Sequence, residues 1–128
     1  MNWLKLICSI LIVGLGFLAK AQELTPKATI PTNAELLRVD NFGKLYLVGL
    51  NEISLLDPAG KFIVRNSNKL YGDISDLDAS NGLELLLFFK DLSQIIFLDN
   101  QLAEKGKELS LEEIGFDQVT LACTSHGL

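Results

Sequence analysis

The chain has 128 residues, 48% of them apolar, and a formal net charge of −5. That length suits one domain, and that apolar content excludes a disordered chain. An acidic sequence with no cluster of Lys or Arg argues against nucleic acid or anionic lipid as a partner, and two cysteines, one of them in the N-terminal apolar run, exclude a disulfide-stapled scaffold.

Read from the start, Lys5 precedes an uncharged run, Leu6 to Leu18, and Ala19-Lys20-Ala21 follows. A basic start, a short apolar run and a small-x-small site predict a secretory signal peptide over residues 1–21, cut between Ala21 and Gln22. The run is shorter than the roughly 20 residues that span a bilayer. Cys8 lies inside it, with no small-residue box before it, and is not a lipidation cysteine. Removal of Lys5 and Lys20 leaves nine basic residues (11 − 2) against 16 acidic, so the exported chain carries −7 and a single cysteine, Cys123.

Residues 22–33, QELTPKATIPTN, have two prolines and no period and read as an extended leader. Four strand candidates follow: AELLRVD (34–40), KLYLVGL (44–50), EISLLD (52–57) and KFIVR (61–65), separated by Asn, Gly, Pro and Asp. Helix competes for AELLRVD and for ELSLEEIGF (108–116), but both are short and Gly115 interrupts the second. The pattern then returns. LYLVGLNEISLLD (45–57) lies on LFFKDLSQIIFLD (87–99) at a shift of 42, with Leu45/Leu87, Leu50/Leu92, Ile53/Ile95, Leu56/Leu98 and Asp57/Asp99 identical. ISDLDASNGL (74–83) lies on VTLACTSHGL (119–128) at a shift of 45.

A period near 40–45 with four strands per unit predicts the blades of a β-propeller. The apolar runs LELLLFF and QIIFL support this, because strands covered on both faces read as continuous runs rather than strict alternation. The expected fold is all-β, with β-propeller-like blades of four antiparallel strands. Blade 1 is expected over about 34–72, blade 2 over about 73–116 and the start of blade 3 over 117–128, about two and a half repeats of a truncated propeller. An ordinary β-meander or sandwich is the competing architecture. In either, Tyr46, Phe88, Phe89 and Phe97 read as core aromatics.

VDNFGKLYLV, LDPAGKFIVRNSN, DISDLDASNGLELLLFFKDLSQIIFLDN and VTLACTSHGL together resemble secreted β-propeller-like repeat proteins of Bacteroidota-type bacteria, in which a signal peptide ending in Ala-Gln precedes the same order of segments. The resemblance covers roughly 34–128. It implies the fold and export to the periplasm, cell envelope or medium, with no catalytic motif to carry over.

The search for chemistry is short. Asp76, Asp78 and Ser80 stand at alternate positions, as in a calcium loop, but position six is Asn81 instead of Gly and position twelve is Leu87 instead of Glu. On a strand, Asp76 and Asp78 share a face, where they either line a channel as a weak cation site or are hydrogen-bonded at a strand end. His126, the only histidine, reads as a turn residue matched to Asn81; Cys123 reads as a small buried hydrophobe; Ser125 and His126 form no nucleophile pair. No metal, cofactor or catalytic residue is assigned. The expected function is an exported, non-catalytic binding or scaffold module, its ligand a protein or glycan of the cell envelope, with no membrane span after processing. A propeller enzyme with its active residues in downstream blades, and a small lid or inhibitor, are the alternatives.

Overall fold

The computed structural model describes residues 2–3 and 24–125. The predicted cleavage point at Ala21 and Gln22, nearly all of the signal segment, and His126 to Leu128 lie outside the described residues. No helix among the described residues is long and apolar enough to cross a membrane.

Residues 24–125 hold no helix and eight strands: β1 (Leu36–Val39), β2 (Leu45–Val48), β3 (Glu52–Leu56), β4 (Phe62–Ser67), β5 (Asp76–Asp78), β6 (Glu84–Phe89), β7 (Gln94–Asp99) and β8 (Glu104–Ser110). They form two four-stranded antiparallel sheets, β1-β2-β3-β4 and β5-β6-β7-β8, each pairing its strands in chain order. The sheets stack and do not close into a ring. The all-β expectation therefore holds. AELLRVD is a strand, and ELSLEEIGF is the end of β8 followed by a turn, so neither is helical.

Three hairpins share one local device. At β1–β2, Asp40 Oδ1 accepts the N–H groups of Phe42 (2.8 Å) and Lys44 (2.9 Å). Asp57 does the same for Ala59 and Lys61 at β3–β4, and Asp99 for Gln101 and Ala103 at β7–β8. Each Asp binds N–H groups two and four residues on, which fixes a three-residue loop with its last residue at positive φ. Glycine supplies that conformation at Gly43 and Gly60; in the third turn Leu102 adopts it at φ 62° and is buried.

The main core lies between the sheets. Tyr46, Val48, Ile53 and Leu55 of the first sheet pack with Leu77, Leu85, Leu87, Phe89, Ile96 and Leu98 of the second. A second cluster, Leu86, Phe88, Ile95 and Leu111, occupies the far face of the second sheet, with Phe97 and Leu109 against it and Val119 and Ala122 of the following segment on top. Of the expected core aromatics, Tyr46, Phe88 and Phe89 are fully buried and Phe97 is partly so.

The two sheets share a pairing pattern with one slip. Val48 pairs with Ile53, and Phe88 pairs with Ile95. Equivalent positions are therefore offset by 40 (88 − 48) in the second strand and by 42 (95 − 53) in the third. The ungapped shift of 42 is corrected accordingly: Leu45 corresponds to Leu85 and Tyr46 to Leu86, not to Leu87 and Phe88. The β6–β7 hairpin is two residues longer than β2–β3, and because two is an even number every side chain keeps its face.

Candidate functional site

The first strands of the two sheets, β1 and β5, run side by side, and residues 121–124 lie beyond β5. Their exposed edges frame an open groove of about 530 Å³, lined by Arg38 and Val39, by Asp76 to Ser80, and by Leu121 to Thr124. Polar groups from three segments converge there. Arg38 Nη2 donates to Asp76 Oδ1 at 2.6 Å, and Arg38 Nε donates to the Leu77 carbonyl at 3.1 Å. The guanidinium thus bridges the sheets at their first strands, with side-chain exposure of 38% for Arg38 and 22% for Asp76.

Asp78 occupies the same face as Asp76, two residues on. Its Oδ1 accepts the Ser80 N–H at 2.9 Å; its Oδ2 accepts both the N–H (2.7 Å) and the hydroxyl (2.8 Å) of Thr124. Burial alone would raise its pKa, but the donors on Ser80 and Thr124 outweigh that and hold it at about 2. Asp78 is therefore a carboxylate at any physiological pH, far from the range in which a general acid or base works. Asp76 is committed to Arg38 and to the Leu77 N–H. Both aspartates are hydrogen-bonded on β5.

Among the described residues, no group of three or more His, Cys, Asp and Glu is placed to hold a metal ion. Cys123 lies on the groove wall with an exposed thiol, so its expected role as a buried hydrophobe is corrected: the segment presents Val119 and Ala122 to the sheet and leaves Leu121 and Cys123 outward. Neither a protein-family model nor a curated protein matches the sequence.

Arg38 and Thr124 escaped the sequence reading. A lone arginine amid LLRV could have been flagged, because a charge inside a short apolar strand needs a partner. Thr124 carried no such signal.

A second groove, about 580 Å³, lies on the far face of the first sheet. Leu47, Ser54, Leu56 and Phe62 form its floor, Glu52 and Arg65 stand at its rim 3.7 Å apart, and Ile30 to Ala34 of the leader cross it.

Of the two buried polar residues among those described, Asp40 and Ser93, Asp40 carries a carboxylate. It accepts the Tyr46 hydroxyl at 2.9 Å as well as the two turn N–H groups. Burial first, and then the bond to Asp40, push the Tyr46 hydroxyl well above its ordinary pKa, so it stays a donor. Neighbouring Asn41 accepts the Gly82 N–H at 3.0 Å and ties the first turn of one sheet to that of the other.

Proposed function

We propose that the chain is an exported, non-catalytic binding or scaffold module built of propeller-type blades, with recognition at the groove along the first strands and a protein or glycan of the cell envelope as its ligand. One observation carries the reading. Leu37, Val39, Leu45, Leu47, Ser54 and Leu56 on the far face of the first sheet correspond in register to Leu77, Ala79, Leu85, Leu87, Ile96 and Leu98, which the second sheet buries against its neighbour. A face so composed is suited to receive a further sheet of the same kind, which is how blades stack. The segment AKAQ at 19–22 and the resemblance to secreted propeller-like proteins support export.

In such an array the first strands line the axis, and their loops are free to recognise a ligand. The engaged carboxylates, and Asp78's low pKa in particular, favour recognition over proton transfer. Two measurements test the proposal. N-terminal sequencing of the secreted protein should begin at Gln22; an intact Met1 refutes export. Amide NMR titration with envelope glycans and envelope-protein peptides should shift resonances of residues 38–40, 76–80 and 121–124, and Val39→Asp should abolish the shifts. Binding that maps elsewhere, or turnover of a substrate lost in Asp76→Asn, overturns the binding-module reading.

A further inference from the structure

The segment after β8 is held to its sheet in an unusual way. Beyond the turn at Leu111–Gly115, residues 117–125 pair with no strand. Among the described residues, every hydrogen bond of this segment to the sheets involves Asp78 or Ser80: the Thr124 N–H and hydroxyl donate to Asp78 Oδ2, and the Ser80 hydroxyl pairs with the Thr124 hydroxyl oxygen at 3.2 Å. Its apolar hold is the contact of two small side chains, Val119 and Ala122, with the cluster of Leu86, Phe88 and Ile95. The outward side chain of Leu121 is 66% exposed. Such a segment opens at far lower cost than a laddered strand, because no row of backbone hydrogen bonds breaks with it.

We infer that residues 119–125 form a releasable strap, latched by Asp78, whose opening both removes one wall of the groove along the first strands and uncovers the apolar far face of the second sheet. The geometry of the latch is economical. One carboxylate oxygen takes both donors of one residue, so a single side chain governs whether the strap is closed. Charge matters as well as shape, since hydrogen bonds to an ionised acceptor are roughly twice as strong as neutral ones. Closed, the strap keeps Leu86, Phe88 and Ile95 from water; open, it offers them as a continuous apolar surface.

The test is amide hydrogen exchange on the full chain as secreted, together with binding of a hydrophobic fluorescent dye. Asp78→Asn keeps the shape of the side chain and removes its charge. Exchange at the Thr124 amide, the backbone N–H among residues 117–125 that has an acceptor, should quicken by about tenfold to a hundredfold, the scale of a lost charge-assisted bond, and dye fluorescence should rise severalfold. Exchange in β6 and β7 should stay within about twofold of the parent, because their ladders do not depend on the strap. Unchanged exchange at Thr124, or acceleration of β6 and β7 by the same factor as the strap, overturns the inference. Should Asp78→Asn fail to fold, Thr124→Ala, which leaves Asp78 in place and removes the hydroxyl alone, should give a smaller rise confined to the amide of residue 124; no rise there also overturns it.

Discussion

The two sheets have the same strand order and nearly the same register, yet they bury their central strands differently. In the first, β2 alternates between buried and half-buried positions and β3 does so as far as Leu55, because the face toward the second sheet is the better covered; on the other face Leu56 alone is buried in these strands. In the second, β6 is buried at every position from Leu85 to Phe89. One face of β6 meets the first sheet and the other meets the strap. The contrast is written in the composition. Ser54 stands in the first sheet where Ile96 stands in the second, and Gly49 where Phe89 does. A strand's apolar run length thus reports how many of its faces are covered.

Substitutions sharpen or break this comparison. The largest effect is expected at Phe88, fully buried on the far face of the second sheet. Phe88→Ala should cost about 3–5 kcal/mol, a large part of the roughly 5–15 kcal/mol that a domain has, and should be visible as a collapse of the urea midpoint. Next comes a matched pair. Leu87→Ala, between the sheets, should cost about 2–5 kcal/mol, whereas Leu47→Ala, its half-exposed register equivalent, should cost less than about 1 kcal/mol. Equal losses in denaturant titrations would break the comparison.

Gly82→Ala addresses the joint between the first turns. A Cβ there would lie 2.5 Å from Asp40 Oδ2 and 2.8 Å from Phe42 Cδ2, inside contact distance of both. Phe42 is exposed and can turn aside, but Asp40 is buried and bonded to Tyr46, and the loss should be about 1–3 kcal/mol by thermal melt.

Acid should act on the second sheet's cover. The folded-state pKa of Asp78, about 2, lies below its ordinary value of 3.8. Its stabilising contribution is therefore fully present above the ordinary value and is lost as pH falls through about 2. The protection factor at Thr124, its exchange rate measured against the intrinsic rate at the same pH, should fall over that window; a protection factor that rises in acid would contradict the sign. The smallest effect belongs to the exposed pair Lys105–Glu84 (2.7 Å), where Lys105→Ala should change stability by no more than about 1 kcal/mol.

The sequence made much of this legible and some of it not. Apolar runs between Asp, Asn and Gly turns marked β1, β2, β3, β4, β6 and β7, and in β2, β3, β6 and β7 those runs supply the buried side chains. β8, EKGKELS, was invisible as a strand: it joins its sheet through its backbone, and its side chains from Glu104 to Glu108 face water. The two-residue slip was hidden because an ungapped alignment still matched leucine to leucine. Asp40 and Asp57 each close an apolar run ahead of a glycine-containing turn, so the sequence does not tell them apart. Only the fold shows that the Tyr46 hydroxyl and Gly82 close over one of them and leave the other to solvent. At the groove, Asp76 and Asp78 could be singled out, but their partners Arg38 and Thr124 lie 38 and 46 residues away, a juxtaposition that no local pattern encodes.

The chain-order pairing of the strands bears on how the molecule forms. Each strand finds its partner immediately before or after it, across loops as short as three residues, and each sheet closes without waiting for the other. Contacts this local correspond to low contact order and fast folding. The aspartate at the head of three hairpins draws in N–H groups within four residues, so the turns can nucleate before any core exists. A nascent chain would complete the first sheet while the second is still being synthesised, and the slow event left is the docking of two preformed sheets through the face that carries Tyr46, Val48, Ile53 and Leu55.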